Sequence, residues 1–272
     1  MLAAQPITIE LSGDWFSAIV NLLMLIVAVV SAFYAYRAYK HQKERSKKEA
    51  ACNLAQYYAS NIIDKYGDIT SVFGAAGLTD LIGNTFQLRD LQEFDKEELL
   101  GFLKEGGLEF ESFEKQMMRI DPLHILNIRM SRACSPEDRR LIYRNYTEKD
   151  EDGNLQVING QFLQVDFNQE ISGLLNELEW FAMNCKYGLA DEGLLYQSLH
   201  QTFLSTVWML YFFISSRNEN NADKLYTNLC WLFIKWRDRL MEIMDNSEAE
   251  KRAYIDKANA VKPKVYEGTR LK

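Results

Sequence analysis

Apolar side chains run almost unbroken from Trp15 to Tyr36 and then give way to helical stripes over the rest of the chain. The run WFSAIVNLLMLIVAVVSAFYAY contains no charge, no Pro and no Gly, and its polar side chains are Ser17, Asn21, Ser31 and two tyrosines. Roughly 22 residues at ~1.5 Å each make a helix of about 33 Å, the thickness of a bilayer's hydrocarbon core. Trp15 and Phe16 at one end, and Phe33, Tyr34, Tyr36 and Tyr39 at the other, stand where amphipathic rings prefer the membrane–water interface. A cleaved signal peptide needs a basic front and a small-residue cleavage site, whereas here Glu10 and Asp14 precede the run and aromatics follow it. The pattern predicts a transmembrane helix over 15–36, preceded by a short extracytoplasmic segment over 1–14.

Neither Pro nor Gly occurs between Trp15 and Tyr66, so one helix is expected to leave the bilayer as a polar neck. It becomes apolar-striped again at Ala51, Leu54, Tyr58 and Ile62, giving a neck and helix extension over 37–66 that Gly67 breaks. Asp95 ahead of Glu98, Asp121–Pro122 and Ser135–Pro136 are helix-start signals. A hairpin is expected around Asn159–Gly160, pairing Leu155–Ile158 with Phe162–Val165. Three further helices follow: about Asn168 to Lys186, Asp191 to Ser216, and Ala222 to Met244, the last with Leu225, Leu229, Leu232, Phe233, Trp236 and Leu240 inward. The apolar part of the middle one, about 12 residues, suits a buried core helix better than a second span. The reading is therefore all-α: one N-terminal transmembrane helix continuing into a cytosolic multi-helix bundle over 67–246. At most one small β-hairpin lies near 155–165, and a charged tail covers 247–272.

Charge sets the expected orientation. Arg37, Lys40, Lys43, Arg45, Lys47 and Lys48 follow the apolar run, and only acidic side chains precede it, so the N-terminus faces out and the body faces the cytosol of an inner (plasma) membrane. The same six residues form a lipid-facing basic neck. The net charge of −7 argues against a DNA partner. Cys52, Cys134, Cys185 and Cys230 form no CxxC pair, and no zinc spacing links them to His41, His124 and His200, so no metal or other cofactor is expected. The run Glu148 to Asn159 has the outline of a calcium loop but lacks the bidentate Glu at its last position.

The block Leu174-Leu175-Asn176-Glu177-Leu178-Glu179-Trp180-Phe181-Ala182, followed by Gly188, Asp191-Glu192, Trp208, Phe213-Ile214, Arg217 and Trp231 to Trp236, resembles an uncharacterised bacterial family of membrane-anchored domains of unknown function. That resemblance implies the same layout and carries no chemistry. Arg119-Ile-Asp-Pro-Leu-His124 resembles the motif of helical HEPN-type ribonucleases, in which Arg stabilises phosphate charge and His transfers protons. Ile120 and Pro122 depart from that motif. Ala28, Ser31, Ala32 and Ala35 form a small-residue ridge which, with Asn21, offers a face for close helix pairing in lipid. The function expected is a membrane-anchored helical protein acting by self-association and by contact with a cytosolic protein partner, without catalysis. Two alternatives follow: a membrane-perturbing oligomeric effector as in phage defence, and a tethered HEPN-like ribonuclease using Arg119 and His124.

Overall fold

The computed structural model describes residues 14–133, 135–150, 152, 155–219 and 223–260. With no breaker to stop it, α1 (Asp14–Tyr57) passes through a π-helical turn at Tyr58–Ile62 and continues as α2 (Ile63–Ala75). Every residue from Trp15 to Ser46 is exposed, and the far half of the same helix buries Ala51, Leu54, Tyr58, Ile62, Ile69, Val72 and Phe73 in the body. The π turn widens the helix by one residue, which frees carbonyls for side-chain donors. Ser60 Oγ donates to Gln56 O at 2.9 Å and Asn61 Nδ2 to Tyr57 O at 3.1 Å. Gly67 does not end the helix, contrary to expectation. A Cβ there would stand 3.0 Å from Arg132 Nη2, so this glycine admits a neighbouring helix, and the actual stop is Gly77, at φ 72°.

Next come α3 (Leu78–Thr85), a stretch without regular structure over 86–95, α4 (Lys96–Glu105), α5 (Phe110–Met118), α6 (Pro122–Arg132) and α7 (Pro136–Tyr146). The start signals act as expected: Asp95 accepts from Glu98 N, Asp121 from Leu123 N and Ser135 from Asp138 N, each at 2.9–3.0 Å. The hairpin has a different partner from the one expected. β1 (Thr147–Lys149) pairs antiparallel with β2 (Leu155–Val157). Asn159, at φ 56°, instead launches α8 (Gly160–Lys186), which takes Phe162–Val165 into a helix. A Cβ on Gly160 would come within 2.8 Å of Pro122 Cγ, so the glycine serves helix packing. α9 (Glu192–Met209), α10 (Tyr211–Ser215) and α11 (Thr227–Ala260) complete the body. α11 continues as helix into the segment read as a tail, and Leu225 is exposed just before it begins.

The apolar run of α9 and α10 lies inside the body, with Phe203, Leu204, Val207 and the whole stretch Met209–Ile214 buried. Its neighbour is Trp236 of α11. That ring meets Phe203 at 4.9 Å and Tyr196 at 5.6 Å between centroids, while its Nε1 donates to Glu192 Oε1 at 2.8 Å. The 86–95 stretch is held by polar groups from far along the chain. Trp208 Nε1 donates to Phe86 O at 2.8 Å, Asn218 Nδ2 to Phe94 O at 2.8 Å, and the buried Arg237 reaches Leu91 O. Glu98 gathers the amides of Gln92, Glu93 and Phe94 (2.6, 3.0 and 2.9 Å) and the hydroxyl of Tyr211 (2.8 Å) on its two oxygens. Glu98→Ala is expected to lower stability by about 2–3 kcal/mol, because the buried Phe94 amide and Tyr211 hydroxyl lose a charged acceptor. Urea unfolding of the detergent-solubilised chain measures this, and an unchanged midpoint would remove Glu98 from that role.

Candidate functional site

α1 is a regular helix through its apolar part, so Asn21, Ala28 and Ala35, spaced by nearly two full turns, share one face with Ser31 and Ala32. All five are exposed. Along the neck, Arg37, Lys40, Lys43, Arg45 and Lys48 are exposed and Arg45 pairs with Glu49 at 2.8 Å. Lys47 is the first of the described residues to be partly covered, and its carbonyl accepts from Asp191 N at 3.1 Å.

Arg119 and His124 stand on two helices. Arg119 is the exposed C-cap of α5, His124 is half-buried in the first turn of α6, and the intervening Ile120 turns into the core. Among the described residues no hydrogen bond or ion pair joins them. His200 stacks on Tyr196 at 4.6 Å, with Nδ1 2.8 Å from Tyr196 O. Of the calcium-loop outline, Glu151, Gly153 and Asn154 lie outside the described residues, as does Cys134. No group of three metal-type ligands occurs among the described residues.

A cleft of about 800 Å³ between α2, α6, α7 and α8 was not foreseen. Val72, Ile125 and Phe167 make its floor. Arg129 bridges to Asp166 at 3.4 Å and Glu170 at 2.7 Å, and Arg132 pairs with Asp68. Burial raises the Asp68 carboxyl above the usual carboxylate range, outweighing the pull of Arg132, and the nearby Asp64 adds to the rise. The signal was present in the chain as spacing: Asp64/Asp68, Arg129/Arg132 and Asp166/Glu170 are each one turn apart on facing helices. Asp68, Asp166 and Glu170 each already have a base, so the arrangement stitches α2, α6 and α8 together. Half-exposed pairs of this kind contribute only about 0–1 kcal/mol each.

The residues that carried the family resemblance have structural tasks. Glu179 caps α11 by accepting from Asn228 N (3.2 Å), Asn228 Nδ2 (2.6 Å) and Leu229 N (2.7 Å). Gly188, at φ 63°, closes α8, and Asp191 starts α9 by accepting from Gly193 N at 3.1 Å. Arg217 ties Tyr226 to Ser172.

One helix long and apolar enough to cross a membrane, continuous with an all-α body, defines the class of protein among the described residues. Residues 123–236, from α6 to Trp236 in α11, match the family model of a domain of unknown function, DUF4760, in keeping with the resemblance read from 174–236. No curated protein and no solved structure matches the chain.

Burial pushes the Cys185 and Cys230 thiols up to about 12, with Glu192 and Glu179 respectively adding to the effect, while Cys52 lies exposed on the neck helix. In the folded chain a maleimide should therefore modify Cys52 at least about tenfold faster than Cys185 or Cys230. Denaturant should remove the difference. Peptide mapping reads the three rates, and equal rates in the folded chain would contradict this packing.

Proposed function

We propose that this protein is a single-pass, membrane-anchored helical module that works by contact with other proteins and by self-association, without chemistry of its own. The observation that supports this best is the unbroken helix from Trp15 to Ala75, 61 residues long. Its exposed first half is apolar enough to span a bilayer, and its last half is part of the core. A body built onto its anchor in this way is held at a fixed place beside the membrane, which suits a binding partner more than a diffusing enzyme. The basic neck directs the body to the cytosolic side of a bacterial inner membrane, and the face carrying Asn21, Ala28 and Ala32 is where copies pair.

The full chain should stay with membranes in alkaline carbonate, and a C-terminal reporter should be active only in the cytosol. Replacing Asn21→Leu together with Ala32→Leu should shift the detergent-solubilised protein toward monomer by about 3- to 30-fold in dissociation constant, the effect of losing an interhelical bond of about 0.6–2 kcal/mol. An unchanged oligomer would move self-association into the body. A membrane-potential dye separates an anchor from an effector: potential should hold when the body is forced to cluster, and collapse would replace the anchor reading with membrane perturbation.

A further inference from the structure

The turn between α8 and α9 carries apolar side chains with no cover. Tyr187 is 67% exposed, Leu189 56% and Leu194, in the first turn of α9, 40%. This turn meets the helix where its covered part begins, just past the exposed stretch that carries the apolar run. Asp191 N donates to the carbonyl of Lys47, and a Cβ on Gly188 would lie 3.6 Å from Lys47 Nζ, whereas every residue from Trp15 to Ser46 is exposed. Lys40, Lys43 and Lys47 follow one another at three- and four-residue spacing, so they form a track on the helix face that the turn contacts, basic on balance with Glu44 among them. The acidic groups of the turn are engaged elsewhere: Asp191 caps α9, and Glu192 holds Lys235 and Trp236. The surface is therefore apolar at its tip and basic beside it.

Geometry carries this surface to the bilayer. From Tyr36, the end of the uncharged run, Lys47 is about 16 Å further along the helix. Spanning helices tilt by about 20° on average, and an uncharged run of about 33 Å in a core of ~30 Å favours tilting. For an element packed about 9 Å to one side of the tilted axis, the turn then comes down to roughly 12 Å from the hydrocarbon edge. The headgroup layer fills about 5–7 Å of that distance, and a tyrosine side chain spans what remains.

We propose that the α8–α9 turn is a second membrane contact. Tyr187 and Leu189 seat in the headgroup layer of an anionic leaflet, with Lys40, Lys43 and Lys47 against its phosphates, so that the body rests on the bilayer it is anchored in. The proposal rests on the anchor reading above. Tyrosine prefers this interfacial depth, and each basic side chain near an anionic surface adds about 1 kcal/mol.

Hydrogen exchange on the full chain, incorporated at one copy per nanodisc to exclude contacts between copies, tests it. In discs with about 30% phosphatidylglycerol in phosphatidylcholine, the amides of 187–194 should exchange about tenfold more slowly than in detergent. Tyr187→Ser with Leu189→Ser, two exposed sites whose change leaves the core intact, should abolish that protection without altering exchange in α8 or α11. Unprotected amides, or protection that survives the double variant, would overturn the contact. Carbonate extraction of the same preparation keeps the two readings apart. Release of the chain defeats anchor and contact together, while retention with an unprotected turn defeats the contact alone.

Discussion

A single helix serving two environments is the constraint on which the other features depend. From Trp15 to Ser46 every residue is exposed, and the helix satisfies its backbone within itself, the condition that a hydrocarbon medium would impose. From Lys47 onward the same helix is a core element and must present a stripe that matches α8 and α9. The π turn at Tyr58–Ile62 lies within that second part. There Tyr58 meets Phe181 at 5.0 Å between ring centroids, and the inserted residue re-aims the stripe so that Ile69, Val72 and Phe73 point inward on the far side of it.

Around this helix the body is assembled by partly buried carboxylates and by aromatic rings. Glu98, Glu179 and Glu192 each accept from several donors, at least one of them on an element distant in sequence. A carboxylate that collects several N–H or O–H donors organises chain segments that lack regular structure, because each donor would cost free energy if buried without a partner. The 86–95 stretch can therefore cross the body without being helix or strand. Phe94 adopts φ 53° there and still buries its ring against Tyr211 at 5.4 Å and Phe233 at 5.1 Å.

What the sequence made legible followed from local rules. The apolar run, the caps at Asp95, Asp121 and Ser135, and the helices around Leu174–Cys185 and Leu229–Trp236 are encoded in spacing and in single side chains, and they fold as expected. Tertiary contacts governed the positions read differently. Gly67 looked like a breaker because glycine disfavours helix, but its missing Cβ makes room for Arg132. Asn159–Gly160 looked like a hairpin turn, whereas its glycine is set by the approach of Pro122. The α2–α6–α8 cleft was missed because its charges are paired only in three dimensions. Arg119 and His124, close in sequence, stand at the end of one helix and the start of the next with a buried isoleucine between them.

The location of the π turn also determines how the body can move. Helices bend where hydrogen bonding is irregular or at Pro and Gly. The segment between Tyr36 and Lys47, which joins anchor to body, has neither residue and is regular α-helix. The irregular turn lies beyond that junction, where Tyr58 and Ile62 are buried and cannot swing without opening the core. In the proposed membrane-anchored arrangement, bending between membrane and body is therefore suppressed at both places, and the soft motion left is tilt of the whole unit about the bilayer. Tilt lowers one side of the body and lifts the other. In that arrangement, whatever holds the body at one tilt would also set the angle of the anchor, without any change of fold.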